Sequence, residues 1–154
     1  MTVIEQFGDK HLSRLHKPFG WSSRGYVPHY DQPHLFQMIT FRLYDSLPQA
    51  KIIELSDPSL KLDAIHLRKT LESYCDAGHG ACYLRDSRIA SVMQETLLIF
   101  DGERYRLLAW VVMPNHVHVL VQLDERFPLP EVLHSWKSYV ANQANKVLGR
   151  SGPF

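Results

Sequence analysis

Three features of the chain predict an α+β sandwich in which a mostly antiparallel sheet carries its helices mainly on one face. Residues 36–43, 104–113 and 116–123 are apolar runs rich in β-branched and aromatic residues, as strands are. Residues 59–77, 86–100 and 131–148 repeat apolar residues at helical spacing. With a short strand expected at 81–84, the order is strand, helix, short strand, helix, strand, strand, helix. That order mixes both element types along 154 residues, the size of one domain.

Residues 1–32 read as an irregular arm. Gly8, Pro18, Gly20, Gly25 and Pro28 punctuate it, and no periodic pattern survives between them. It interleaves Lys10, Arg14, Lys17 and Arg24 with Phe19, Trp21, Tyr26 and Tyr30, a mixture that suits phosphate contact and base stacking, or a tail packed on the domain. Residues 33–150 are then the domain. In the first strand Gln37, Ile39, Phe41 and Leu43 fall on the core face, and Phe36, Met38, Thr40 and Arg42 on the more open one. The first long helix carries Leu60, Ala64, Leu67 and Leu71 on one stripe, starts at Asp57-Pro58 and stops at Gly78. Asp86-Ser87 opens a second helix that buries Ile89, Val92, Met93, Thr96, Leu97 and Phe100. Proline at the first position of the Pro114-Asn115 connection cannot take positive φ, so a tight primed hairpin is not expected there. The last helix, from Glu131 to about Leu148 with Gly149 as its cap, has an apolar stripe of Leu133, Trp136, Val140, Ala144 and Val147. Tyr139 and Gln143, four apart, share one edge of that stripe, beside Lys146.

Composition narrows the function classes. A hydrophobic content of 45% and a charged content of 21% are those of a globular domain, and a net charge of +1 requires any nucleic-acid surface to be a local patch. Cys75 and Cys82 form no close-spaced metal or redox motif and suit reduced thiols in a cytosol. The chain shows neither a signal peptide nor a run of membrane-spanning length, so a cytoplasmic location is expected.

The chemistry concentrates at His116-Val117-His118. On a strand, residues two apart point to one face, so the two imidazoles project together and can form two arms of a divalent-metal site. Tyr139 is a competent nucleophile if it is helped to ionise, and Gln143, one turn along the same helix, could offer a carbonyl as a third ligand. For each residue alone the plainer reading is a surface or boundary side chain.

Five blocks, in order, carry a resemblance. They are Arg24-Gly-Tyr-Val-Pro-His-Tyr30, Gln37-Met-Ile-Thr-Phe-Arg-Leu-Tyr-Asp-Ser-Leu-Pro48, Ala77-Gly-His-Gly-Ala-Cys-Tyr-Leu-Arg-Asp86, Met113-Pro-Asn-His-Val-His-Val-Leu120, and Trp136-Lys-Ser-Tyr139 with Asn142-Gln143. Together they resemble the HUH-type single-tyrosine transposases of the IS200-like type, and more closely their REP-associated branch. The resemblance implies a ferredoxin- or RRM-like sandwich with a catalytic tyrosine on its C-terminal helix. It implies cleavage and strand transfer of single-stranded DNA at hairpins through a 5′-phosphotyrosine link, with Mg²⁺ or Mn²⁺. Matched by position, Tyr139 is the nucleophile, His116 and His118 are metal ligands, and Gln143 is the third. Arg24, Tyr26, Arg42, Lys137 and Lys146 are candidate DNA contacts, and the protein is a monomer or homodimer. In that branch a tryptophan-rich segment and a helical tail follow the position of Phe154, so the domain reads as C-terminally truncated. The competing readings are a repeat-DNA binding protein without catalysis and a metal-binding protein unrelated to DNA.

Overall fold

A computed structural model describes residues 20–23, 28–32, 34–55, 57, 59 and 63–154. Arg24 and Tyr26 lie outside the described residues. The elements are β1 (Gly20–Ser23), β2 (Pro28–Asp31), β3 (Phe36–Arg42), α1 (Gln49–Leu55), α2 (Ala64–Asp76), a 3-10 turn (Tyr83–Arg85), α3 (Ser87–Leu98), β4 (Tyr105–Val112), β5 (His116–Leu123) and α4 (Leu129–Val147).

The main sheet has the order β3-β5-β4 and is antiparallel throughout, so the histidine strand is central. Alternation along β5 decides what each face carries. Val117, Val119, Val121 and Leu123 are all at most 1% exposed, and they join Ile39 and Leu43, Ile89, Met93 and Leu97 of α3, and Val132, Trp136, Val140 and Ala144 of α4 in one core. Helices α3 and α4 therefore cover the valine face. The opposite face carries His116 and His118, opposed across the strand pair by Arg42 and Thr40. Phe36 and Met38 are exposed on that face and Ile39 is buried on the other, as the alternation of β3 predicts.

Trp136 holds α4 down. Its Nε1–H donates to the Tyr105 hydroxyl at 3.0 Å, and that hydroxyl donates to the Leu97 carbonyl at 2.9 Å. The two rings meet edge to face, 5.1 Å between centroids. One buried chain thus ties β4, α3 and α4. Burial pushes the Tyr105 phenol up from 10.0 to about 12. Between those two values the unfolded chain has lost this proton and the folded one has kept it. Stability should therefore fall as pH rises through the window, by roughly 2–3 kcal/mol in all. Urea midpoints measured from pH 9.5 to 12 check this, and Tyr105→Phe should flatten the slope while lowering stability at pH 8.

Several elements differ from expectation. Residues 81–84 form no strand; Cys82 takes φ +51° and a 3-10 turn follows, because the Leu84 N–H is drawn to the Pro114 carbonyl at 3.1 Å instead of into a ladder. Part of the arm read as irregular is a two-stranded ribbon, β1 against β2, with Trp21 opposite Tyr30. Cross-strand pairing makes it, with Pro28 at a strand start, and periodicity within either four-residue strand is too short to show. Helix α2 starts later than Ser59: Asp63 caps it by accepting the His66 N–H at 2.8 Å. Helix α1 was not anticipated. Strand β4 carries a bulge at Leu108 that shifts its register to β5. Gly149 ends α4 at φ +62°, as read from the sequence.

Candidate metal centre

The two imidazoles converge as strand spacing requires. His116 Nε2 and His118 Nε2 stand 3.0 Å apart, with the rings nearly perpendicular. A third donor approaches from α2, where Asp76 Oδ1 lies 3.5 Å from His116 Nε2. Donor atoms of Asp76, His116 and His118 all fall within 4.8 Å of one another. Among the described residues this is the group of His, Cys, Asp and Glu arranged to hold an ion.

The far side of each ring is also engaged. The Asn115 amide N–H donates to the His79 carbonyl at 2.9 Å, which leaves the Asn115 Oδ1 to accept from His116 Nδ1 at 2.8 Å. His116 then carries its proton on Nδ1 and turns an unprotonated Nε2 toward Asp76 and His118. His118 Nδ1 hydrogen-bonds the Thr40 hydroxyl at 2.8 Å. Such outer partners fix ring orientation at metal sites. Burial, and then the neighbouring His118, push the His116 pKa below the usual histidine value, against the pull of Asp76 and Glu72. The neutral, ligand-competent imidazole is the favoured form.

The loop after α2 is built around this arrangement. Gly80 has φ +86°, and a Cβ there would sit 2.8 Å from the Asp45 carbonyl oxygen. The Asp45 carboxylate accepts the Ala81 N–H at 2.8 Å, and His79 stacks on Tyr74 at 4.2 Å. The His79 carbonyl is thereby held where Asn115, itself fully buried, needs a partner.

Arg42 pairs in register with His116 on β3 and is half-buried. Lys137 lies over the Phe41 ring and, with Arg42, His116 and Val140, lines a cavity at the end of the sheet. Tyr139 and Gln143 are half-buried on α4, whose buried stripe packs on the valine face; two residues on, Tyr139 leaves the helix about 200° away from Lys137. Lys146 is exposed. Asp76, Asn115 and Thr40 were not anticipated. Their only sequence signals were the Met-Pro-Asn lead-in, the pairing of β3 with β5, and an acid at a helix end.

Residues 84–150 match the family model of IS200-like transposases. The match runs from the 3-10 turn through both histidines and Tyr139 to the end of α4, somewhat under half of the chain. It supports the IS200-like family and, with it, DNA transposition. No curated protein and no solved structure matches the chain. Helix α2 and Asp76 lie before the matched segment of the transposase family. Among the described residues no helix is long and apolar enough to cross a membrane.

Proposed function

We propose that the protein cleaves and rejoins single-stranded DNA beside a hairpin, such as a palindromic repeat, using Tyr139 as nucleophile and Mg²⁺ or Mn²⁺ at the His116–His118 pair. The observation that carries this is the convergence of two unprotonated-capable Nε2 atoms at 3.0 Å, each ring fixed from behind, within a segment that matches a transposase family. The spacing suits one divalent ion, since two nitrogens each about 2.1 Å from it and at right angles would stand about 3.0 Å apart, and the Asp76 carboxylate beside them adds the oxygen donor that Mg²⁺ or Mn²⁺ favours. When bound there, such an ion neutralises charge on the phosphate's non-bridging oxygens.

The chain's own residues do the rest. His116 and His118 hold the site, while Asn115 and Thr40 keep their lone pairs aimed. Tyr139 gives its phenolic proton to water and its oxygen attacks phosphorus. A phosphotyrosine bond forms at the 5′ side, the bond from phosphorus to the 3′-oxygen breaks, and that oxygen leaves as a hydroxyl after taking a proton. A free 3′-hydroxyl attacking the same phosphorus reverses the step and joins the strand. Arg42, across the pair from His116, suits a phosphate beside the ion, and Lys137 and Lys146 suit flanking phosphates.

Tyr139 serves the histidine face of a second copy in this reading. Its helix covers the valine face of its own sheet, and its side chain departs from the side that reaches the cavity beside His116. The outer strand β4 leaves Leu108, Trp110 and Val111 exposed, the kind of apolar edge that a second copy covers.

Labelled single-stranded hairpin DNA incubated with the protein and Mn²⁺ tests the proposal on a denaturing gel. A covalent adduct is expected, and Tyr139→Phe should abolish it while leaving hairpin binding within a few-fold of wild type. Hairpin binding by the wild type with no adduct would point instead to a repeat-DNA binding protein.

A further inference from the structure

We infer that Asp76, at the end of α2, is the third protein ligand of the metal centre, in the place that the family resemblance gives to Gln143. This rests on the proposed reading of the histidine pair as a metal site and specifies how that site is completed.

Three independent features lead to Asp76. Its carboxylate already stands with the two Nε2 atoms, all within 4.8 Å, on the histidine side of the sheet. Gln143 belongs to a helix packed on the valine side of its own sheet, so within one copy Asp76 is the donor already beside the histidines, and Gln143 could meet only the site of a second copy, as Tyr139 does. The second feature is electrostatic. Asp76 is the last residue of α2, where the aligned peptide dipoles concentrate negative charge, and the last turn holds no basic residue. An acid there opposes the dipole mildly, and a cation facing it offsets that. Glu72, one turn earlier, adds its field at the same histidine. A divalent ion between Asp76 and the imidazoles answers both charges, which a neutral amide ligand would not require. Third, the end of α2 is held in place. Cys75 is buried, the Gly78 N–H closes on the Cys75 carbonyl at 3.0 Å, and the next residue's carbonyl accepts from Asn115. The proposed ligand and the carbonyl that anchors Asn115, which in turn orients His116, thus come from one continuous segment, 76–79.

The consequence is a site complete without α4. Two neutral imidazoles and one carboxylate would hold the ion from one side and leave its other side open to water and phosphate. The tyrosine helix can then belong to either copy without altering metal affinity.

Mn²⁺ titration followed by the loss of the free-ion electron paramagnetic resonance signal, with no DNA present, tests this directly. Asp76→Asn should weaken binding by more than about tenfold, since even partners behind a ligand are worth that much. Asp76→Glu should recover part of the loss, and Gln143→Ala should bind as wild type does. The Asp76 side chain is 59% exposed, so the variants should fold, and metal-free melting curves matching wild type establish that they do. Wild-type affinity in Asp76→Asn, or a loss in Gln143→Ala as large as that expected for Asp76→Asn, would overturn the assignment, as would a wild-type protein that binds no Mn²⁺. The DNA-cleavage reading fails separately, if metal binds but hairpin DNA gives no adduct.

Discussion

Trp136→Ala should cost about 3–5 kcal/mol of stability, the range for removing a large aromatic from a packed core. Trp136 is 1% exposed and touches three elements: its ring lies against Phe41 of β3 and Tyr105 of β4, and its N–H bonds the hydroxyl that reaches α3. Truncation leaves a cavity beneath α4 and takes one donor from a buried phenol. Domains of this size are held by roughly 5–15 kcal/mol, so the loss is a large fraction of the whole. Thermal unfolding by circular dichroism should show a midpoint lower by roughly 6–20 °C. Val147→Ala, on the same predicted stripe but 36% exposed, should shift it by far less. Equal effects at the two positions would mean that the centre of the α4 stripe is misplaced.

The second large effect concerns the histidines. Replacing both His116 and His118 by Ala removes two of three donors and should take Mn²⁺ binding below detection. Adduct formation should fall by at least about 10³-fold, as expected when preorganised charge stabilisation at a reacting phosphate is lost. Part of any change will be structural, because Asn115 Oδ1 loses its buried partner at a cost of about 1–3 kcal/mol. Metal-linked stabilisation separates the two. At a free Mn²⁺ concentration about 100 times Kd, wild type should gain about 2.7 kcal/mol and the double variant nothing. Melting curves with and without Mn²⁺ measure the difference; an equal rise in both proteins would place the ion elsewhere.

How much of this was legible depends on whether the signal was local. Strand β5 runs from His116 to Leu123 as its β-branched alternation indicates, and the valines face the core as period two demands. The α4 stripe centred on Trp136 and Val140 was equally plain, since both face the core at 3.6-residue spacing. Its start was set two residues late because Pro130 reads as a breaker, although proline is tolerated in a first turn. Helix α1 is seven residues and lacks the repeats that make a stripe visible. The Ala81–Leu84 run was apolar enough for a strand, but Gly78 and Gly80, both at positive φ, send the backbone to serve Asp45 and Asn115. At the site, the spacing of His116 and His118 brought the pair within reach of inference. Asp76 lies forty residues earlier on a different element, and only tertiary folding brings it beside His116. Its one local mark was an acid where a helix dipole favours a base.

In the proposed mechanism Tyr139 of one copy acts at the histidine face of another, and mixing two inactive variants tests this most directly. His116→Ala/His118→Ala retains Tyr139, and Tyr139→Phe retains the metal centre. Each alone should give no covalent adduct with hairpin DNA in Mn²⁺. Mixed at equal concentrations, they should restore the adduct, with all the label on the histidine variant, distinguishable on the gel by a size tag. A wild-type adduct that no mixture restores would contradict the shared site, and a wild-type protein that binds Mn²⁺ and hairpin DNA yet forms no adduct would contradict the tyrosine chemistry itself.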